Sequence, residues 1–166
     1  MSKLKKMKLG IIIICHNNET DIDISQCVKY LNKIKDIEIC LVNNNSKDNT
    51  YNVLKEIKEY CNHVSLVDIK KFKSDNSAVK AGARFMSSQF NLKHLGFVNT
   101  SMIRKYQDLS HLIKTILDNQ VDILNYDQNI SNNKPIKLTM FQSLFPVMDY
   151  LAKMDLNDYS KLNHLS

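Results

Sequence analysis

Apolar, β-branched runs that stop abruptly in polar turns, each followed by residues at helical spacing, constrain this chain more than any other feature. Ile39-Cys40-Leu41-Val42 runs into Asn43-Asn44-Asn45-Ser46-Lys47-Asp48-Asn49-Thr50, and Val53, Leu54, Ile57, Tyr60 and Cys61 then recur at helical intervals. Apolar residues in an unbroken run read as a strand buried on both faces. Asparagine tolerates the left-handed backbone of a tight turn, and Ser46 or Asp48 is placed to cap the helix that follows. Strand, polar turn and capped helix form half of a βαβ unit. In an open parallel sheet ligands lie beyond the carboxyl ends of the strands, so the polar residues on such an end are the first candidates for chemistry.

The same grammar repeats along the chain. Met7 to Cys15 contains Ile11-Ile12-Ile13-Ile14 and ends in His16-Asn17-Asn18-Glu19. A helix is expected from Ile22 to Ile34, with Ile24, Val28 and Leu31 inward. Val64 to Ile69 reads as a third strand, followed by a helix with Ala78, Ala81, Gly82, Phe85 and Met86 on one side, where small residues allow close packing. His94 to Val98 reads as a fourth strand ending in Asn99-Thr100-Ser101, and Leu109, Leu112, Ile113, Ile116 and Leu117 mark an amphipathic helix. Val121 to Leu124 is expected to be the fifth strand and Tyr126 to Pro135 a polar loop. From Ile136, the residues Leu138, Phe141, Phe145, Met148 and Ala152 keep a helical period. Pro146 interrupts it, which predicts two short helices meeting near Ser143 to Pro146. Alternating strand and helix predict an α/β fold of three layers, with a mainly parallel sheet, right-handed crossovers and short C-terminal helices. A length of 166 residues fits one domain over 1–166.

Composition removes several classes. With 43% apolar and 24% charged residues the chain is ordinary for a globular protein. A net charge of +6 favours anionic partners only in a general way. There is no aromatic-interleaved basic patch or zinc spacing, so no nucleic-acid partner is expected. Cys15, Cys27, Cys40 and Cys61 form no Cys-x-x-Cys pair, which suits a reduced, cytoplasmic protein. Lys3, Lys5, Lys6 and Lys8 precede an apolar run as in a signal peptide, but Leu9 to Cys15 has no small-residue cleavage site and reads as the first strand. No stretch approaches the roughly 20 apolar residues of a spanning helix, and Asp149, Asp155 and Asp158 disfavour anionic lipid, so membrane association is not expected. The glycines, Gly10, Gly82 and Gly96, form neither Gly-x-Gly-x-x-Gly nor a phosphate loop ending in Gly-Lys-Ser/Thr. Close backbone approach to a pyrophosphate needs glycine, so dinucleotide oxidoreductases and P-loop proteins drop out.

Four ordered segments resemble the family 2 glycosyltransferases of the GT-A fold, including the polyprenyl-phosphate mannosyltransferase type. Ile11 to Glu19 resembles that family's first strand and its Pro-Thr-Tyr-Asn-Glu ending. Val42 to Thr50 resembles Val-Asp-Asn-Asn-Ser-Thr-Asp-Asn-Thr, with Asn43 where an aspartate is usual. Asn76 to Phe85 resembles the Gly-Ala-Ala-x-Arg-Ala-Gly-Phe helix, and Gly96 to Met102 the strand that normally ends in Asp-x-Asp. The likeness spans residues 8 to about 127 and implies a nucleotide-diphospho-sugar transferase scaffold.

The resemblance implies that His16, Asn17, Glu19, Asn43, Asn44, Lys80, Arg84, Asn99 and Ser101 line a donor site. The residue matching Asn43 helps to hold the base, and an asparagine carbonyl still accepts a hydrogen bond, without charge. The Asp-x-Asp motif contacts a divalent metal, whereas Asn99 and Ser101 offer neutral oxygens, so no metal ligand is assigned and Mg or Mn is disfavoured. Lys80, Arg84, Arg104 and Lys105 are the cations available in its place. The family's catalytic carboxylate lies past the matching segments. Asp149, Asp155 and Asp158 lie in that direction, no motif singles one out, and the catalytic residue stays unassigned. The chain after the fifth strand is expected to be short for an acceptor site. Two functions remain open: sugar transfer, without a normal metal site, from a UDP- or GDP-type donor to an unknown acceptor, or a non-catalytic module that binds a nucleotide sugar or a protein on the same scaffold. The apolar stripe in the 136–154 helices suits core cover or a homodimer face.

Overall fold

The computed structural model describes residues 9–132 and 144–153. Strand β1, Leu9–Cys15, is buried along its whole length. Among the described residues it lies at the centre of a five-stranded sheet of order β3-β2-β1-β4-β5, with β2 Ile37–Asn44, β3 Val64–Ile69, β4 His94–Val98 and β5 Leu144–Pro146. All four strand pairings are parallel. The isoleucine run has no polar alternation because both faces of β1 are covered. Ile11 and Ile13 join a core with Leu31, Leu54, Leu112 and Ile116, while Ile12 and Ile14 join a second core with Ala78, Ala83 and Met86. The helices α1 (Ile24–Leu31), α2 (Thr50–Tyr60) and α5 (Leu109–Asp118) therefore cover one face, and α3 (Asp75–Gln89) the other. This is the expected three-layer α/β arrangement.

Chain direction across the sheet explains the layers. The crossovers through α1 and α2 carry the chain outward from β1 to β3, and α3 carries it back to β4 on the far side of β1. Crossovers of one hand require the helices to change faces when the direction reverses. Gly82 makes the close approach of α3 possible. A Cβ there would sit 2.8 Å from Ile12 Cγ2 and 3.1 Å from Val42 Cγ2.

The structure corrects the reading of the later chain. Val121 to Leu124 is part of α6, Gln120–Asn132, and not a strand. A short apolar run does not distinguish strand from helix, and here Ile123 is fully buried while Val121 is 68% exposed, a helical division of one face from another. Tyr126 to Asn132 is helical where a polar loop was expected. The fifth strand is instead Leu144–Pro146, which pairs Phe145 with Gly96. Proline lacks the N–H that a central strand must donate, and β5 is an edge strand, where that loss is tolerated. A helical stretch over 147–153 follows, so one strand and one helix stand where two helices were expected. Phe145, Val147 and Leu151 are buried in the chain's own core. Leu138, Phe141, Asp155 and Asp158 lie outside the described residues. Helix α1 is also shorter than its periodicity, because Asp23 caps it by accepting the Gln26 N–H.

Candidate functional site

Parallel strands end on the same side, and the register makes three of those ends adjacent. Cys15 of β1 is opposite Asn43 of β2, and Asn43 is opposite Asp68 of β3. Beyond these ends the chain turns sharply. Asn17 and Asn45 take left-handed backbone, with φ of 52° and 50°, which asparagine adopts more readily than most residues.

The turns after β1 and β2 are stitched together side chain to backbone. Asn17 N–H donates to Ser46 Oγ (3.0 Å), and Asn17 Oδ1 accepts the Lys47 N–H (2.8 Å). Asn18, buried, donates its N–H to Thr50 Oγ1 at 2.8 Å. Glu19 N–H donates to Asp48 Oδ2, and Glu19 Oε2 accepts the Asn49 N–H, both at 3.1 Å. Glu19 thus secures the start of α2. Neither Ser46 nor Asp48 is its N-cap. That position is Asn49, without a side-chain cap, while Asp48 Oδ1 accepts from the Thr50 N–H and hydroxyl at 3.0 and 2.6 Å. Burial pushes the Asp48 carboxyl up, but the bonds from Thr50 and Glu19 outweigh it and hold the group below its ordinary range.

His16 closes the junction between β1 and β2. Its Nδ1 lies 2.7 Å from the Asn44 carbonyl oxygen, which only accepts, so Nδ1 carries the proton. Nε2 is then the acceptor for the Asn17 side-chain amide at 3.2 Å. Asn44 is fully buried and uses both ends of its amide on one residue: Nδ2 donates to the Lys73 carbonyl (2.8 Å) and Oδ1 accepts the Lys73 N–H (3.1 Å). That clamp fixes the loop after β3 and sets Phe72 edge-on to His16, with ring centroids 4.9 Å apart.

Two concavities open on this edge. One, of about 430 Å³, is lined by His16, Asn17, Asn18, Thr100, Ser101 and Arg104. It lies between the ends of β1 and β4, where the strand order reverses, the position at which open α/β sheets bind ligands. The other, of about 200 Å³, lies over β2 and β3 and includes Asn43, Ser46, Tyr51, Asp68 and Lys70. There Asn43 Nδ2 donates to Asp68 Oδ1 (2.8 Å), and Asn43 Oδ1 accepts from Ser46 Oγ (2.6 Å). Lys70 pairs with Asp68 and sits over the Tyr51 ring. Burial raises the Asp68 carboxyl, yet the bonds from Lys70 and Asn43 bring it below its ordinary range, so it is ionised at neutral pH.

Of the residues expected at a site, His16, Asn17 and Ser101 line the larger concavity and Asn43 the smaller. Asn44 is a structural clamp and Glu19 a partner of the α2 start. Asn99 is the N-cap of α4, Thr100–Lys105, with its Oδ1 buried and lacking a hydrogen-bond partner among the described residues. Lys80 and Arg84 lie on the exposed side of α3 and line neither concavity. Sequence reasoning missed Asp68, Lys70, Tyr51 and Thr100. Counting strand ends would have found Asp68, which occupies the register position next to Asn43. The donor set does not fit a divalent metal. Asn99 and Ser101 give neutral oxygens where hard cations want carboxylates, and among the described residues no three His, Cys, Asp or Glu side chains are grouped to hold one.

The sequence model of glycosyl transferase family 2 matches residues 10–161. Solved structures resemble the fold, two of TarS among them. S. aureus TarS 1–349 is 13% identical with a TM-score of 0.48, the likeness covering 74% of this chain and 33% of that one. S. aureus TarS is 15% identical with a TM-score of 0.43, covering 74% of this chain and 20% of that one. The chain thus spans a third or less of the TarS chains it resembles. No curated protein matches it.

Proposed function

We propose that this chain, which belongs to glycosyl transferase family 2, holds a nucleotide-sugar donor across the carboxyl edge of its sheet and serves sugar transfer from it. The observation that carries this reading is the convergence of the β1 turn and the start of α4 on the 430 Å³ cleft at the strand-order reversal. The diphosphate and sugar occupy that cleft, and the base extends over β2 and β3. Asp68 accepts from a ring N–H and Lys70 donates to the neighbouring carbonyl, a pairing that uracil and guanine both satisfy. Tyr51 supplies an apolar surface beside them. Transfer then consists of attack by an acceptor hydroxyl on the anomeric carbon, with the electron pair of the breaking bond leaving on the diphosphate and the hydroxyl proton passing to solvent.

Among the described residues, those lining the cleft include no carboxylate to take the acceptor proton. That favours, as a second reading, a module that binds the donor without turning it over. In either case the 144–153 segment spends Phe145, Val147 and Leu151 on the chain's own core, and neither reading requires a second copy. No helix among the described residues is long and apolar enough to cross a membrane. Burial raises the thiols of Cys15 and Cys40 to about 12, which suits unreactive thiols in a reducing compartment.

Calorimetric titration with UDP, GDP, ADP and CDP, alongside assay of nucleoside diphosphate release from UDP- and GDP-sugars, tests the proposal. Binding of UDP or GDP with release supports transfer. Binding without release supports the module, and binding of none of the four removes both.

A further inference from the structure

We propose that Arg104 takes the electrostatic place of the divalent cation at this site and that Asp21 holds it in readiness, an inference that rests on the donor-binding reading above. The family's acidic motif is here Asn99-Thr100-Ser101, and among the described residues the one charged side chain lining the larger cleft is Arg104, one helical turn further along α4. Its Nε donates to Asp21 Oδ2 at 3.3 Å, and its two terminal nitrogens have no partner among the described residues. The Arg104 side chain is 69% exposed, so the guanidinium is solvated and free to turn toward a ligand. Asp21 is far less free. It is 17% exposed, and the same Oδ2 accepts from Asn18 Nδ2 at 3.0 Å, which ties it to the turn after β1.

One weak ion pair thus joins the segment after β1 to α4, the two elements that flank the cleft. Exposed pairs of this kind stabilise little. A diphosphate offers the guanidinium fork a bidentate, doubly charged partner, which arginine matches better than a lysine ammonium does. The two anions compete for one cation. Asp21 therefore orients Arg104 before a diphosphate binds and lowers its affinity for diphosphate, while Arg104 supplies the positive charge that a metal supplies where carboxylates are present. A diphosphate leaving group would be stabilised by a group that needs no metal.

The opposing effects of two substitutions test the idea. Calorimetric titration would use inorganic pyrophosphate, UDP and GDP, each with manganese and with chelator, on the wild type, Arg104→Ala, Arg104→Lys, Asp21→Asn and the double variant Arg104→Ala/Asp21→Asn. Asp21→Asn keeps an oxygen for Asn18 and removes the competing charge. The expected results are binding indifferent to metal, weakened about tenfold or more in Arg104→Ala and less in Arg104→Lys. Asp21→Asn should bind roughly threefold tighter, a gain expected of a competing exposed charge, and the gain should vanish in the double variant. Melting curves exclude misfolding, and Asp21→Asn reports even if Arg104→Ala is unstable. Pyrophosphate binding that needs Arg104, with nucleotides no tighter, would leave the cation assignment standing and remove the nucleotide reading. Nucleotide binding unaffected by either substitution, or a tenfold gain from manganese, overturns the Arg104 assignment alone. Binding of no probe overturns both.

Discussion

Asn43 and Asp68 form a 2.8 Å hydrogen bond across the β2–β3 register, amide to carboxylate, at the edge where the family sequence usually places an aspartate at the first of these positions. The negative charge of this corner therefore sits one strand further out. Asn43 is buried and acts as a donor to it, whereas Asp68 is partly open to the concavity and keeps lone pairs to spare. The carboxylate at this corner is thus supplied by a residue 25 positions further along the chain.

Restoring the family residue should therefore harm the protein. Asn43→Asp sets two carboxylates against each other and removes the donor, at a cost of about 1–3 kcal/mol. Like charges raise the pair's apparent pKa above the unfolded value. The penalty is then full at neutral pH and relieved as pH falls and one proton is taken up. Melting temperatures at pH 7 and pH 4 should show a deficit at pH 7 that shrinks on acidification. An equal deficit at both would mean that shape and not charge matters here.

Gly82→Val should destabilise the domain by about 1–3 kcal/mol, the usual penalty for overpacking. The first added carbon would lie 2.8 Å from Ile12 Cγ2, a methyl on the central strand that has nowhere to retreat. Denaturant midpoints measure the effect. An unchanged midpoint would show that α3 can lift off the sheet freely.

Asp108 caps α5, accepting the His111 N–H at 2.9 Å and the Ser110 hydroxyl at 2.7 Å. Burial raises this carboxyl, but the bonds from His111 and Ser110 prevail and its pKa is lowered. A lowered folded pKa contributes stability that is complete above the unfolded value of about 3.9 and lost as pH falls through the folded one. Asp108→Ala should cost about 1 kcal/mol at pH 7 and progressively less below about pH 4. Urea titrations across that range would show no difference from the wild type at any pH if the cap contributes nothing.

Phe145 is 4% exposed and packs against Gly96, where an added Cβ would come within 2.9 Å of the Phe145 ring. Phe145→Ala should cost about 3–5 kcal/mol, as buried aromatic truncations do, without altering the oligomeric state. Light scattering alongside thermal melting separates the two effects. Dissociation of an oligomer with an unchanged melting temperature would place Phe145 on an outer face.

The candidate site was only half legible in the sequence. His16, Asn17 and Asn43 could be proposed because each follows directly on an apolar run whose end is visible. Lys80 and Arg84 were proposed from a motif on a helix, and the exposed side of α3 takes them away from the cleft. Asp68 and Lys70 carry the charges of the smaller concavity and are visible in the sequence only once the strand ends are counted, while Arg104 stands there as one of four cations, with nothing local to single it out. Val121 to Leu124 shows the same limit for the fold, since a run that short fits either element until its partners are known.

Neighbours along the chain account for the buried strands, through unbroken apolar runs, for the amphipathic helices, through their period, and for the turns, through asparagines that accept left-handed backbone at Asn17 and Asn45. The pairings at the site depend instead on residues distant in the chain. Asn43 meets Asp68 25 positions away, and Arg104 meets Asp21 83 positions away. The strand order that brings these pairs together is set by which core each helix covers, a property of the whole sheet that no local pattern encodes.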